Sequence, residues 1–250
     1  MSLHFNDVTL GYAGTIAIKG FSAKLDAGSL IAVIGDNGSG KSTLLKAIAG
    51  VIKPVSGKIT KPKKSRVAYL AQQSDIDKTF PIDVETLVKM GLWPLCGLWK
   101  SQRPYQSKIQ DALEKVRLVA QANYPLDTLS SGQLQRALFA RIIVQDSNII
   151  LLDEPFNGVD LNTKKDLLLL IRRWQQQGRT IFIALHDPLI VKEHFSRVIH
   201  IDKRCAVYEK TAQFLDAGNH HFLPSFMPNF SWVNLQKQYL LANISGRIGS

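Results

Sequence analysis

The sequence lacks any long hydrophobic run. One of its longest uninterrupted apolar stretches, residues 167–171, falls far short of the roughly 18 to 20 residues that a membrane-spanning helix needs. Residues 1–10 contain no basic segment followed by an apolar stretch, so we expect no secretory signal. We therefore expect a chain that does not cross a membrane by itself.

Cysteine is also scarce. The two cysteines, Cys96 and Cys205, are far apart and fit no metal-binding or redox spacing. Their scarcity excludes a disulfide scaffold and fits a reducing, cytoplasmic compartment. Apolar residues make up 45% of the 250 residues and charged residues 20%, a globular composition that excludes a disordered chain.

Acidic residues are outnumbered by basic ones. Lys and Arg total 31 against 20 Asp and Glu, which gives a net charge of +11. This excess leaves open nucleic acid, anionic lipid, a phosphate-rich ligand or simple solubility. The densest basic cluster lies in a proline-containing stretch and is interpreted as a solvated turn; it comprises Lys58, Lys61, Lys63, Lys64 and Arg66.

Strand-like and helix-like segments alternate along the chain, which predicts a mostly parallel sheet covered by helices. The predicted strands are residues 3–10, 29–34, 67–70, 148–152, 180–185 and 198–201. The predicted helices are residues 41–49, 133–145 and 163–177, and one whose apolar face comprises Ile109, Ala112, Leu113, Val116 and Ala120. The helical region at about 73–145 is interpreted as an inserted lobe.

The sharpest motif is the phosphate loop GDNGSGKS at residues 35–42, between a strand and a helix. Its glycines let successive backbone N–H groups face one anion, and the helix adds its positive dipole end. Lys41 supplies a charge to the β- and γ-phosphates, and the Ser42 hydroxyl can bind Mg²⁺. The predicted nucleotide-binding residues here are Gly35, Asn37, Gly38, Ser39, Gly40, Lys41, Ser42 and Thr43.

Two carboxylates, Asp153 and Glu154, follow a buried strand at the end where ligands bind in open α/β sheets. Asp153 can hold Mg²⁺, and Glu154 can orient or deprotonate an attacking water. The alternative is that the pair merely ends the strand before Pro155. The upstream phosphate loop favours the catalytic interpretation.

A third motif, LSSGQ at residues 129–133, precedes a helix that Ser130 can cap. Capping alone is one interpretation. The other is a second helix N-terminus that binds phosphate. Since the loop at Lys41 already provides one such site, the second predicts a nucleotide site shared between two subunits.

Over roughly residues 1–204 the order of these motifs resembles the nucleotide-binding subunits of ABC transporters. The resemblance implies an α/β fold with a P-loop NTPase sheet: a RecA-like core, an antiparallel β subdomain and an inserted α-helical subdomain. It implies a nucleotide-binding domain over residues 1–210, and leaves residues 211–250 as a C-terminal extension of unknown role. It also implies ATP and Mg²⁺ as cofactors, with two ATP closed between two head-to-tail subunits.

The same resemblance assigns roles to individual residues. It implies adenine stacking for Tyr12 and a γ-phosphate contact for His186, although each could simply be a packed or hydrogen-bonded side chain. Gln72 would contact Mg²⁺ or the attacking water. Asp160 would lie at the subunit contact. The residues that would complete the partner's site are Ser130, Ser131, Gly132 and Gln133. The implied catalytic set is Glu154, His186, Lys41 and Gln72, and the implied Mg²⁺ ligands are Ser42, Gln72 and Asp153.

Three residues depart from the family pattern. Asp36 replaces a common proline, and we expect its side chain to point away from phosphate. Ser131 replaces a glycine, which puts the turnover rate in doubt. Asn157 replaces a smaller residue before Gly158, and the family pattern does not indicate what this change does.

Residues 80–84, 88–91 and 153–160 resemble the branch that imports zinc and manganese, although importers of iron–siderophore complexes and haem share much of this pattern. The resemblance implies a homodimer at the cytoplasmic face of the membrane, an integral permease subunit and, indirectly, a substrate-binding protein. The apolar segment 90–99 would line the permease docking groove or form the lobe's own core.

Two alternatives of other classes remain. A soluble ABC-type ATPase acting on nucleic acid is permitted by the charge, but such proteins carry two nucleotide domains or a long coiled coil, so we expect no nucleic acid partner. A regulatory subunit that binds ATP without hydrolysis is disfavoured by Glu154 and His186.

Overall fold

The computed structural model describes residues 2–12, 14–73, 76–97, 102–186 and 188–216. The predictions made for Trp99 and for most of the C-terminal extension, residues 217–250, lie outside this part. The strands are β1 Leu3–Tyr12, β2 Thr15–Leu25, β3 Leu30–Ile34, β4 Ser56–Thr60, β5 Val67–Leu70, β6 Ile149–Asp153, β7 Thr180–Ala184, β8 Arg197–Asp202 and β9 Cys205–Lys210. The helices are α1 Lys41–Ala49, α2 Val84–Met90, α3 Trp93–Cys96, α4 Gln106–Lys115, α5 Ser131–Gln145, α6 Leu161–Gln176, α7 Pro188–His194 and α8 Thr211–Asp216.

The larger sheet has six strands in the order β5-β6-β7-β3-β8-β9. All neighbours are parallel except β9, which pairs antiparallel with β8. Every residue of β3, β6 and β7 is buried. Since a parallel sheet is covered on both faces, its central strands are continuously apolar rather than alternating. The predicted parallel sheet is confirmed.

A smaller antiparallel sheet has the order β2-β1-β4. Phe5, Leu10 and Ile18 are fully buried in a core shared with one face of the large sheet. Together the two sheets and the helices between β5 and β6 confirm the predicted fold class.

The basic stretch after Gly57 is not simply a solvated turn. Lys58 lies in β4, paired with Asn6 of β1. Lys61 donates from Nζ to Ile48 O at the end of α1, 2.8 Å away, and burial lowers its pKa. The prediction was wrong for Lys58 because β4 forms only through pairing with a distant strand, and wrong for Lys61 because its side chain is partly buried against the end of α1.

Helix α4 also ends earlier than its apolar periodicity predicts. Ile109, Ala112 and Leu113 are buried as expected. The helix stops at Lys115, and Arg117 adopts the left-handed conformation with φ 58°, which few non-glycine residues do. Ala120 therefore lies in a short 3-10 helix, Val119–Gln121, and is exposed, so its place on the face was wrong.

The apolar segment 90–99 was predicted either to form the core of the lobe or to line a docking groove, and its described residues include both buried and exposed side chains. Leu92 and Cys96 are buried in the core, whereas Trp93 remains 40% exposed. The segment therefore contributes to the lobe's interior and also presents an aromatic surface.

The C-terminal end of α5 is bound from three directions. Asp146 lies within ion-pair distance of Arg66, Lys108 and Arg179, and the closest contact, to Arg179 Nη2, is 2.9 Å. Arg66 also donates to the backbone oxygen of Asp146 at 2.8 Å. These cations come from before β5, from α4 and from before β7, so the charge of one residue links three parts of the chain.

None of the helices in the described part of the chain has the length and apolar character to span a bilayer. Helix α8, which opens the predicted extension, buries Phe214 in the main core. The division at residue 210 stays a prediction.

Candidate functional site

The loop between β3 and α1 depends on glycine at two positions. Gly35 has φ 153°, and a Cβ there would lie 2.4 Å from Ile201 O. Gly38 has φ 78°, in the left-handed region that glycine adopts without strain. The chain can therefore turn tightly against β8 and lead into α1, whose first residue is Lys41.

Lys41 is buried at the base of this loop. Its Nζ donates to Gly35 O at 2.8 Å and to Asp36 O at 2.9 Å. Burial lowers the pKa of Lys41, while the carboxylates of Glu154 and Asp153 oppose that shift. The ammonium group is thus held by backbone oxygens beside two acids, where an anionic ligand can compete for it.

A cleft opens along the loop and joins elements that are distant in sequence. Its walls are formed by Asn37, Gly38, Gly40, Lys41, Ser42, Thr43, Gln72 and Glu154. Gln72 follows β5 and Glu154 follows β6, so the parallel strands bring the ends of these segments to the edge where the loop begins. The cleft thereby gathers residues of two of the predicted motifs, the phosphate loop and the carboxylate pair, together with Gln72.

Asp153 lies beneath the cleft and is 2% exposed. Burial raises its pKa, an effect that hydrogen bonds from Ser42 and Tyr69 partly oppose. The Tyr69 hydroxyl donates to Oδ2 at 3.1 Å, whereas Oδ1 is buried without a hydrogen-bond partner. A buried carboxylate oxygen beside a serine hydroxyl fits a hard cation such as Mg²⁺, which prefers oxygen ligands.

Glu154 is held by both of its carboxylate oxygens. His186 Nε2 shares a hydrogen bond with Oε1, and Asn157 Nδ2 donates to Oε2 at 2.6 Å. The backbone of Glu154 is left-handed, with φ 49°, and its N–H donates to Ala184 O at 3.2 Å. The predicted base and the predicted histidine are therefore in direct contact.

The LSSGQ motif forms a capping box at the start of α5. Ser130 Oγ accepts from the Gln133 backbone N–H at 3.2 Å, and Gln133 Oε1 accepts from the Ser130 N–H at 2.9 Å. Gly132 lies close to α6, since a Cβ there would be 3.2 Å from Asp160 Oδ2. Among the described residues that line the cleft at Lys41, none belongs to this motif.

Asp160 caps α6. Its Oδ1 accepts from the Asn162 and Thr163 N–H groups, and its Oδ2 accepts from Thr163 Oγ1 at 2.6 Å. Arg136 of α5 donates to the same Thr163 hydroxyl at 2.8 Å. The residue predicted to lie at a subunit contact is thus also part of a link between α5 and α6.

Tyr12, at the end of β1, is 73% exposed. A packed tyrosine, the alternative to adenine stacking, does not describe a side chain this open.

The sequence did not predict three contacts near the site. Tyr69 donates to Asp153, the Gln73 side-chain amide donates to Ser131 O, and Thr163 bonds both Asp160 and Arg136. Tyr69 was only one residue of a predicted strand, and its contact with Asp153 requires β5 and β6 to be adjacent. Asn157 was noted as a departure from the family pattern, but its contact with Glu154 was not expected. Asn157 lies three residues after Glu154, in the same turn.

Comparison with protein families gives a match over residues 18–157 to the family described as ABC transporter. Among curated proteins, the chain is 34% identical to the manganese transport system ATP-binding protein MntB of Listeria innocua, over 84% of this chain and 91% of that protein. It is 33% identical to the zinc transport system ATP-binding protein TroB of Treponema pallidum, over 81% and 79%. It is 35% identical to the chelated iron transport system protein YfeB of Yersinia pestis, over 79% and 70%.

Among solved structures, the chain resembles a metal-chelate type ABC transporter in an inward-facing conformation, with a TM-score of 0.78, 29% identity, and coverage of 89% of this chain and 88% of that one. It also shares the fold of a dimeric ATP-binding cassette bound to ADP and Pi, with a TM-score of 0.74, 22% identity, and coverage of 84% and 98%.

Proposed function

The chain belongs to the ABC transporter family as an ATP-hydrolysing cassette, and we propose that it powers the import of a transition metal. Zinc and manganese are the preferred candidates for that metal. The observation that carries this proposal is the cleft that places Lys41, Ser42, Gln72 and Glu154 around one space. A phosphate anchor, oxygen ligands and a general base are the groups that phosphoryl transfer to water needs.

In this proposal the loop amides and Lys41 bind the β- and γ-phosphates of ATP. Ser42, Asp153 and Gln72 would hold Mg²⁺, which when bound offsets negative charge on the phosphates. Glu154 accepts a proton from the attacking water, and His186 supports the γ-phosphate from the next strand end. Catalysis is then positioning together with charge stabilisation.

We propose that two copies of the chain form the working unit. The first turn of α5 offers free backbone N–H groups and a helix dipole away from the chain's own cleft. Ser130, Ser131, Gly132 and Gln133 of one copy would complete the cleft of the other, with Asp160 at the contact and Tyr12 stacking on adenine. The dimeric cassette with the same fold supports this arrangement.

The cargo and the membrane partners are proposed from the named relatives. MntB and TroB belong to manganese and zinc transport systems, which favours transport over the nucleic acid alternative. The similarity to YfeB and to the metal-chelate transporter makes chelated iron the second candidate for the transported substrate. An integral permease would bind the lobe at the cytoplasmic face of the membrane, where Phe80 and Trp93 are exposed, and a substrate-binding protein would act on the other side.

The test is transport by the assembled complex. The chain is purified with its permease, placed in liposomes, and supplied with radiolabelled zinc, manganese or ferric chelate with and without ATP. We expect ATP-dependent uptake of zinc or manganese, and none with Glu154→Gln. Uptake of no metal by a complex that hydrolyses ATP would overturn the metal assignment, whereas a complex without ATPase activity would overturn the catalytic one.

A further inference from the structure

Asn157 contacts the carboxylate to which the proposed function gives the role of base. Its side-chain Nδ2 donates to Glu154 Oε2 at 2.6 Å, on the oxygen that His186 does not contact. The Glu154 side chain is 12% exposed, whereas Asn157 is exposed and the bond between them lies at the protein surface. A hydrogen bond to a charged acceptor is stronger than one between neutral groups.

The backbone brings the two side chains together. The Asn157 N–H donates to Glu154 O at 3.3 Å, which closes a turn. Glu154 has φ 49° and Gly158 has φ 70°, so left-handed residues bound the turn on both sides. The turn itself therefore places the Asn157 side-chain amide next to the Glu154 carboxylate.

The contact restricts how Glu154 can act. Each carboxylate oxygen has more than one lone pair, so Glu154 can still accept a bond from water while His186 and Asn157 are bound. With both oxygens held, however, the plane of the carboxylate cannot rotate freely. A general base works only when it is aimed at the proton that it removes.

We propose that Asn157 is a positioning residue for ATP hydrolysis, whose side-chain amide fixes the orientation of the Glu154 carboxylate. The inference rests on the proposed function, because it requires Glu154 to act on water. Asn157 itself takes no proton, and it lies outside the walls of the cleft at Lys41.

The substitution Asn157→Asp tests the donor without changing the shape of the side chain. Aspartate keeps the backbone bond of the turn but replaces the amide donor with an oxygen that repels Glu154 when ionised. When protonated, the same group can donate again. The matched control is Asn162→Asp, an exposed position in the first turn of α6 with the same charge change.

We expect Asn157→Asp to lower kcat about tenfold or more with KM for ATP nearly unchanged, since one charged hydrogen bond to the base is lost. The ratio of variant to wild-type kcat should stay low from about pH 8 to about pH 6, because an aspartate with an ordinary pKa of about 3.9 remains ionised over this range. Asn162→Asp should stay within about twofold of wild type at each pH. A turn without a catalytic role would leave kcat at the wild-type value, which would overturn the proposal.

A second measurement tests the contact without using activity. Asn157→Asp should lower the midpoint of thermal unfolding more in the wild type than in Glu154→Gln, because a glutamine amide can donate to the new aspartate. Equal losses in both backgrounds would overturn the contact and the inference with it. If wild type and Glu154→Gln hydrolyse ATP at the same rate, the proposed function fails; that failure is recognised separately, because the thermal coupling is then still measurable.

Discussion

The side-chain amide of Gln73 donates to the backbone oxygen of Ser131 at 2.9 Å. Gln73 directly follows Gln72, which lines the cleft, and Ser131 is the first residue of α5. Within one chain, the segment proposed to contact Mg²⁺ or the attacking water is therefore bonded to the helix end proposed to reach the partner's nucleotide. This bond joins the segment that follows β5 to the start of α5.

Replacing Gln73 with alanine should loosen that connection. The bond is partly buried, so its loss should reduce the free energy of unfolding by about 1 kcal/mol. Denaturant titration measures this change. Gln176→Ala, at an exposed position of α6, is the matched control and should alter stability by less than about 0.5 kcal/mol. Equal effects of the two variants would show that the Gln73 bond contributes nothing.

Lys41→Met should abolish ATP binding while the chain stays folded. Methionine fills most of the buried space, but it cannot supply the positive charge that the phosphates need. Binding of a fluorescent ATP analogue should weaken at least about a hundredfold, and circular dichroism should be unchanged. The control is Lys53→Ala, which removes an exposed lysine outside the cleft. Unchanged binding by Lys41→Met would contradict the phosphate-loop assignment.

Glu154→Gln should separate binding from hydrolysis. Glutamine keeps the size of the side chain but cannot accept a proton from water, so phosphate release should fall by about a hundredfold or more. ATP binding should persist, and size-exclusion chromatography with ATP should show a trapped dimer. Hydrolysis by this variant at the wild-type rate would mean that another group is the base.

The Asp160 carboxylate, which caps α6, should make the stability of the protein depend on pH. Hydrogen bonds from the side chain and the backbone of Thr163 lower the pKa of Asp160. Because its folded pKa is lowered, the carboxylate stabilises the fold above its ordinary pKa, and this contribution is lost as the pH falls through the lowered value. The midpoint difference between wild type and Asp160→Asn should therefore be largest near neutral pH and shrink below about pH 4. Asp111→Asn controls for the change of charge, and a gap that does not vary with pH would refute the prediction.

Ser131→Gly tests the departure in the LSSGQ motif. Glycine keeps the backbone oxygen that Gln73 binds, but it removes the side chain at a position proposed to complete the partner's nucleotide site. We expect faster turnover in the dimer together with a loss of up to about 1 kcal/mol in stability, since glycine weakens a helix. Slower turnover with unchanged stability would argue that the serine hydroxyl itself contributes to the site.

Local motifs were a better guide to the residues that line the cleft than to the strands of the two sheets. The phosphate loop, the Asp153–Glu154 pair and the Ser130 cap each consist of residues adjacent in sequence, so their pattern is visible before folding. Strand β4 was missed because its residues gain a strand conformation only by pairing with β1. Strands β2 and β9 were missed for the same reason, since each forms by antiparallel pairing with a neighbour.

The contacts within the site could not be predicted because they depend on which strands are adjacent. Tyr69 meets Asp153 only because β5 and β6 are neighbours, and His186 reaches Glu154 from the end of β7. Helical periodicity misplaced Ala120 because it cannot register a backbone reversal such as that at Arg117. The sequence shows which side chains can form hydrogen bonds, whereas the tertiary structure determines which of them are bonded to each other.

The two ends of α5 are held by different contacts. At one end, Asp146 lies within ion-pair distance of Arg66, Lys108 and Arg179, and at the other Gln73 donates to Ser131 O. Fifteen residues separate the two ends, a length of about 22 Å. A tilt of about 10° around Asp146 would sweep Ser130 through about 4 Å. A small angular step of the lobe is thus enough to bring this helix tip into or out of hydrogen-bonding range of a phosphate.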